Sequence, residues 1–161
     1  MEPQPLAQVI KVFGAAFSKS CKTLSMPQTL TGSCLCGAAA YEIDYIAGDV
    51  ADICHCAECR RASGAASLPW VQVPPSRFRL TRGPARAYAS SAHATRWFCG
   101  DCGTPLYMTD DEGRSVGVTL GSLDQPETVR PTVHGWVCEH VSWETLDETL
   151  PRYDKAPPYD F

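Results

Sequence analysis

The chain has 161 residues and a formal net charge of −4, with hydrophobic residues at 44% and charged residues at 20%. That length suits one domain with a sizeable core, and the acidic balance excludes the clustered basic footprint that nucleic acids or anionic membranes require. No apolar run approaches the roughly 20 residues of a membrane helix.

Residues 1–29 differ from the rest: Pro3 and Pro5 precede a weakly amphipathic "LAQVIKVFGAAF" and then "SKSCKTLSMPQTL". They read as an N-terminal extension, disordered or helical, with no long apolar core or small-residue cleavage site of a secretory leader. From Thr31 the signals are mainly β. "AAAYEIDYI" (38–46) puts Tyr41, Ile43 and Tyr45 on one face, with Glu42 and Asp44 on the other. Short runs follow at 67–73, 77–81, 86–91, 94–99, 105–109, 115–121 and 132–138, separated by "VPPS", "TRGP", "DDEG" and "LDQPETVRP". Such punctuation is turn and loop chemistry. The expectation is one mainly β domain of folded sheets over residues 30–155, followed by a C-terminal tail at 156–161.

Cysteine is the compositional outlier. Nine are present, an odd number that fits a secreted disulfide framework poorly and points instead to a reducing, cytoplasmic compartment with thiolates held by metal. "GSCLCG" and "FCGDCGTPL" form two knuckles, C-x-C and C-x-x-C, carrying Cys34, Cys36, Cys99 and Cys102. Gly37 and Gly103 follow them, and glycine tolerates the tight turn that aims backbone N–H groups at sulfur. Four thiolates from two turns make a closed tetrahedral zinc site, whose job is structural.

The second set lies in "DICHCAECRRASGA", where Cys54, Cys56 and Cys59 fall within six positions. In an extended stretch Cys54 and Cys56 share a face, and a turn through Ala57 and Glu58 brings Cys59 to the same point. Three ligands with a fourth position open is the pattern of a catalytic zinc. His55, between two ligands, projects the opposite way. Arg60 and Arg61 are placed to offset the charge of the sulfurs or to hold the carboxylates of a thiol-bearing peptide; a solvated surface pair is the equal alternative.

At these residues the chain resembles the glutathione-dependent formaldehyde-activating enzyme family, which is related to the centromere-protein-V type. The matching stretches are "GSCLCGAAAYEI", "CHCAECRRASGA", "FCGDCGTPLY", "VGVTLGSLDQPETVRPTVHGWV" and "LPRY", in family order from about Thr31 to Tyr153. The resemblance implies a β-tent fold of antiparallel sheets and two zinc ions. One would be structural, on Cys34, Cys36, Cys99 and Cys102; the other would be catalytic, on Cys54, Cys56 and Cys59. The implied reaction joins glutathione and formaldehyde into S-hydroxymethylglutathione, a carbon–sulfur lyase step in reverse. His55 and His134 are candidates for its proton. Trp70, Trp97, Trp136 and Trp143 read as core residues. The alternative function is a non-catalytic, zinc-stabilised β domain for protein association.

Overall fold

The structure is a computed structural model that describes residues 26–159. The amphipathic run of the extension and Cys21 lie outside the described residues. Ten strands and one short α-helix follow in order: β1 (Gln28–Ser33), β2 (Ala40–Tyr45), β3 (Ala51–Cys54), α1 (Ala57–Ser63), β4 (Leu68–Val73), β5 (Phe78–Arg82), β6 (Ala85–Ala89), β7 (Ala94–Cys99), β8 (Pro105–Asp110), β9 (Val116–Thr119) and β10 (Val133–Gly135). Among the described residues no helix is long and apolar enough to cross a membrane.

The strands form two sheets. A three-stranded sheet runs β1-β2-β5, and a seven-stranded sheet runs β10-β3-β4-β9-β8-β7-β6. The mainly β expectation holds, with two local differences. "TRGP", read as turn or loop chemistry, switches the chain from the small sheet at β5 to the edge of the large one at β6, a crossing between sheets that its composition does not show. The pairing of β10 with β3 is parallel, in a fold expected to be antiparallel. Parallel neighbours need a long return connection, and here the whole of β4 to β9 intervenes.

Alternation decides which residues enter the core. Tyr41 and Ile43 of β2 are buried as their period predicts, and they meet Val71 and Val73 of β4 and Val116 and Val118 of β9. The hydroxyl of Tyr41 lies 2.7 Å from Ser122 Oγ, which is itself 2.7 Å from Thr119 Oγ1 at the end of β9. This short chain ties the small sheet to the large one inside apolar surroundings, where an unmade hydrogen bond is costly. Phe78 stacks on Tyr41 and meets Tyr107, against which Trp97 stacks at 5.5 Å.

The seven-stranded sheet has a second face. Paired residues of neighbouring strands project to the same side. The register Asp52↔Trp70, Cys54↔Leu68, Gln72↔Gly117, Met108↔Gly117 and Arg96↔Met108 therefore sets Asp52, Cys54, Trp70, Gln72, Met108 and Arg96 opposite the core. Gly117 contributes no side chain there, and a Cβ on it would meet the Gln72 amide at 3.0 Å. Residues 156–159, read from the sequence as the start of a tail, return to this region: Pro157 is buried against Gly135, and Tyr159 is largely covered.

The packing of β1 on β2 leaves no room for a methyl group at Gly32, whose Cβ would lie 2.2 Å from the Tyr41 ring. Gly32→Ala is expected to destabilise by about 3 kcal/mol through overpacking, and Tyr41→Phe by about 1 kcal/mol through the lost hydrogen bond. Urea denaturation of both variants checks the order; equal stability of Gly32→Ala and the parent would contradict it.

Candidate functional site

The knuckles fold as their glycines demand. Gly37 and Gly103 both adopt φ of +77°, and their N–H groups reach back to the carbonyls of Cys34 and Cys99 at 3.0 and 2.9 Å. The N–H of Ala39 donates to Cys34 Sγ at 3.2 Å. Thr104 bridges the two turns, accepting from the N–H of Leu35 at 3.1 Å while its hydroxyl lies 3.1 Å from Cys102 Sγ. That hydroxyl, followed by backbone N–H groups, holds the Cys102 thiol down to about 5. Cys34, Cys36, Cys99 and Cys102 present sulfurs that all lie within 4.8 Å of one another. Cys36 Sγ is 3.5 Å from Cys34 Sγ and 3.7 Å from Cys99 Sγ. A Zn–S bond of about 2.3 Å puts neighbouring sulfurs of a tetrahedron about 3.8 Å apart, so these four fit a metal ion.

The second group sits at the end of β3. Cys54 closes the strand, and Cys56 is the N-cap of α1, its Sγ accepting from the N–H of Cys59 at 3.3 Å. The turn expected at Ala57 and Glu58 is thus the first turn of a helix, and Gly64 ends that helix in the left-handed conformation at φ +70°. A C-x-x-C spacing across a helix start brings N-cap and N3 side by side. The sulfurs of Cys54, Cys56 and Cys59 also lie within 4.8 Å of one another. Hydrogen bonding from Cys54, Cys59 and the helix N–H groups drives the Cys56 thiol far below its usual range, while Cys54 is pushed up. Thiolate character in a cluster of soft donors suits a borderline-soft ion such as zinc.

His55 explains how the two flanking sulfurs are aimed. Its side chain is fully buried on the face away from Cys54 and Cys56, with Nδ1 3.1 Å from Glu144 Oε2 and Nε2 3.0 Å from His134 Nδ1. Glu144 also accepts from Ser67 Oγ at 2.6 Å, and His140 Nε2 lies 2.7 Å from the Glu144 carbonyl. The backbone of His55 is gripped as well: its N–H donates to Gly135 at 3.0 Å, and its carbonyl accepts from Arg60 Nη1 at 2.8 Å. The same Arg60 nitrogen donates to the Glu139 carbonyl at 2.5 Å. Arg60 is therefore a backbone clamp. His134, 2% exposed, is buried as well.

The trio opens into a cavity of about 760 Å³ on the second face of the large sheet. Trp70, Gln72, Met108 and Arg96 form its floor, α1 supplies one wall through Glu58 and Arg61, and Trp136 and Tyr159 line another side. Trp70 and Trp136 are thus pocket walls where the sequence reads them as core, and Trp143 is 74% exposed. Trp136 is the non-glycine residue with positive φ, at +59°, a conformation held by its N–H to the Lys155 carbonyl at 3.0 Å. That kink ends β10 at Gly135, short of the run read from sequence. Asp52 is buried beside the trio with Oδ1 lacking any hydrogen-bond partner, and burial pushes its carboxyl up to about 7 against hydrogen bonds from Tyr159 and Gln72.

Comparison with known proteins decides the family. The pattern of the glutathione-dependent formaldehyde-activating enzyme family matches residues 29–139, more than half of the chain. The chain belongs to that family. An uncharacterized lyase of Schizosaccharomyces pombe is 28% identical over 137 residues, covering 81% of this chain and 83% of that protein. A crystal structure of a Rhodobacter sphaeroides protein is similar at 29% identity over 63% of this chain and 91% of that one, with a TM-score of 0.49.

For this family member the cysteines are legible in the sequence, and the cavity floor is not. Asp52, Gln72 and Arg96 stand in separate short strands with no shared motif. Their only signal is strand parity, which shows a face without showing what lies opposite. Exposed Cys138 stands apart from both sulfur groups.

Burial holds the His134 pKa below its usual 6.5, so the folded state binds fewer protons than the unfolded one as pH falls through that region. Stability should therefore drop on acidification below pH 6.5, and His134→Asn should flatten that slope. Unfolding free energies of both proteins between pH 7.5 and 5, about one unit either side of the ordinary histidine value, provide the check; parallel slopes would refute the assignment.

Proposed function

We propose that this protein is a zinc-dependent carbon–sulfur lyase of thiol–aldehyde adducts, with glutathione and formaldehyde as the pair and S-hydroxymethylglutathione as the adduct. The reading assigns a structural zinc to Cys34, Cys36, Cys99 and Cys102, and a catalytic zinc to Cys54, Cys56 and Cys59. The observation that carries it is the contrast between the two groups: four sulfurs complete one set, whereas the trio has three and faces the cavity. Family membership and the lyase name of the fission-yeast relative support the reaction class. Reduced glutathione places the activity in the cytoplasm.

A zinc ion on the trio would supply a Lewis acid that keeps a thiol deprotonated at neutral pH. The rest of the chemistry falls to the protein. A cavity of about 760 Å³ admits a tripeptide thiol. Arg61, His93 and Arg114 stand in its lining as cationic or hydrogen-bonding partners for peptide carboxylates. Trp70, Trp136 and Met108 give the reacting pair apolar walls. The glutathione sulfur adds to the carbonyl carbon, forming the carbon–sulfur bond. The π pair of the aldehyde moves to oxygen, which takes up one proton in exchange for the one lost by the thiol. Holding both partners in one cavity supplies effective concentration, worth several kcal/mol in favourable cases. His55 and Arg60 act from behind, fixing the backbone between Cys54 and Cys56.

Metal analysis tests this directly. The parent protein is expected to hold two zinc ions per chain, Cys56→Ser one, and Cys34→Ser to lose its fold with its structural ion. Because thiols and formaldehyde also combine unaided, exchange NMR at equilibrium measures the catalysed rate. Acceleration by the parent and its loss in Cys56→Ser are expected. A parent that binds two zinc ions yet leaves the exchange rate at background would favour the association-domain alternative.

A further inference from the structure

Arg96 of β7 occupies a position that the sequence gives no reason to single out. Its Nη2 donates to Cys59 Sγ at 3.5 Å and lies 3.6 Å from Glu58 Oε2. The guanidinium carbon sits 5.9 Å from the centre of the Trp70 ring, and the side chain is only 12% exposed. Its Nε is buried without a hydrogen-bond partner. An unmade hydrogen bond on a buried donor costs about 1–3 kcal/mol, and burying the cation adds to that. The stack on Trp70 and the sulfur contact offset part of this cost; the half-exposed Glu58 offsets little. A guanidinium kept at such a cost against a group of cysteine sulfurs, in the lining of the same cavity, is placed for anionic chemistry there.

Arg60 and Arg61 do not take this place. Arg60 is committed to two backbone carbonyls, and Arg61 stands exposed on the wall of the cavity. Arg96 is positioned instead by a strand: its neighbour Met108 lies across the floor, and Trp97 turns the other way to stack on Tyr107. The guanidinium thus rests on the sheet, not on a loop, which is the rigid mounting that electrostatic stabilisation requires.

We propose that Arg96 is a catalytic residue for the carbon–sulfur step, stabilising the negative oxygen that develops when the thiol sulfur adds to the aldehyde carbon. The proposal rests on the lyase reading of the trio. In the forward direction the thiol gives its proton to solvent and the carbon–sulfur bond forms. The carbonyl π pair becomes an oxygen lone pair beside the guanidinium, and solvent returns one proton to that oxygen. In reverse the oxygen loses that proton, the pair re-forms the carbonyl and the carbon–sulfur bond breaks.

The test compares Arg96→Gln, Arg96→Lys and the parent by exchange NMR, with two thiols: glutathione, and 2-mercaptoethanol, which has no carboxylate. Arg96→Gln is expected to slow exchange about 10²–10³-fold with both thiols, the usual loss when one oxyanion donor is removed. Zinc content should stay at the parent value, and Arg96→Lys should recover part of the rate. Arg79→Gln, which removes an exposed cation from the other sheet, should leave the rate unchanged. A loss confined to glutathione would make Arg96 a carboxylate binder, and no loss would make it structural; either result overturns the proposal. The Hε resonance of Arg96, assigned by its disappearance in Arg96→Lys, gives a second readout. It should shift when the hydroxymethyl adduct of 2-mercaptoethanol is added. A parent that shows this shift without catalysing exchange refutes the lyase reading, whereas exchange without the shift refutes the role of Arg96 alone.

Discussion

Convergence of cysteine sulfurs on two points constrains everything else in this molecule. The four-sulfur group stands where β1 of the small sheet runs out into one knuckle and β7 of the large sheet runs out into the other. Drawing Cys34 and Cys36 onto Cys99 and Cys102 therefore fixes one sheet against the other at one corner. The hydrogen-bonded chain from Tyr41 through Ser122 to Thr119 fixes them again from inside the core. With these ties in place the apolar faces of β2, β4 and β9 are held in contact, and the large sheet keeps its opposite face for chemistry.

That opposite face carries the cavity. β4 shows the division most clearly: Val71 and Val73 enter the core, while Trp70 and Gln72 floor the cavity. β3 divides in the same way, since Asp52 and Cys54 face the cavity, and its continuation turns His55 into the buried network with Glu144 and His134. A strand's alternation thus separates the sulfur ligands from the histidine that braces them. The bracing is polar and gives both ring nitrogens of His55 a partner, which holds the tripeptide Cys54-His55-Cys56 in an orientation where both sulfurs point outward.

Charge follows the same geometry. Three cysteine sulfurs that hold a metal would be a concentrated negative site, and neutralisation from one bulky neighbour is better directed than from mobile surface groups. Arg96 donates to Cys59 from the strand floor beside Trp70, while Arg60 turns to the backbone and Arg61 stands exposed on the cavity wall. Proximity along the chain is a poor guide to electrostatic partnership here, because α1 rotates successive side chains by about 100° and carries Arg60 onto backbone carbonyls and Arg61 onto the cavity wall.

The sequence by itself determined the β character, the two sulfur groups and the opposed direction of His55, because each depends on local rules: strand period, knuckle spacing and glycine-permitted turns. Cys56 as a helix N-cap, the parallel seam of β10 on β3, the placing of Trp70 and Trp136 as walls and the approach of Arg96 to Cys59 were decided only by the tertiary structure. Each of these needs strands distant in sequence to be set in register. Alternation marks two faces on every strand, but which face meets another sheet and which is left to line a cavity depends on what folds over it.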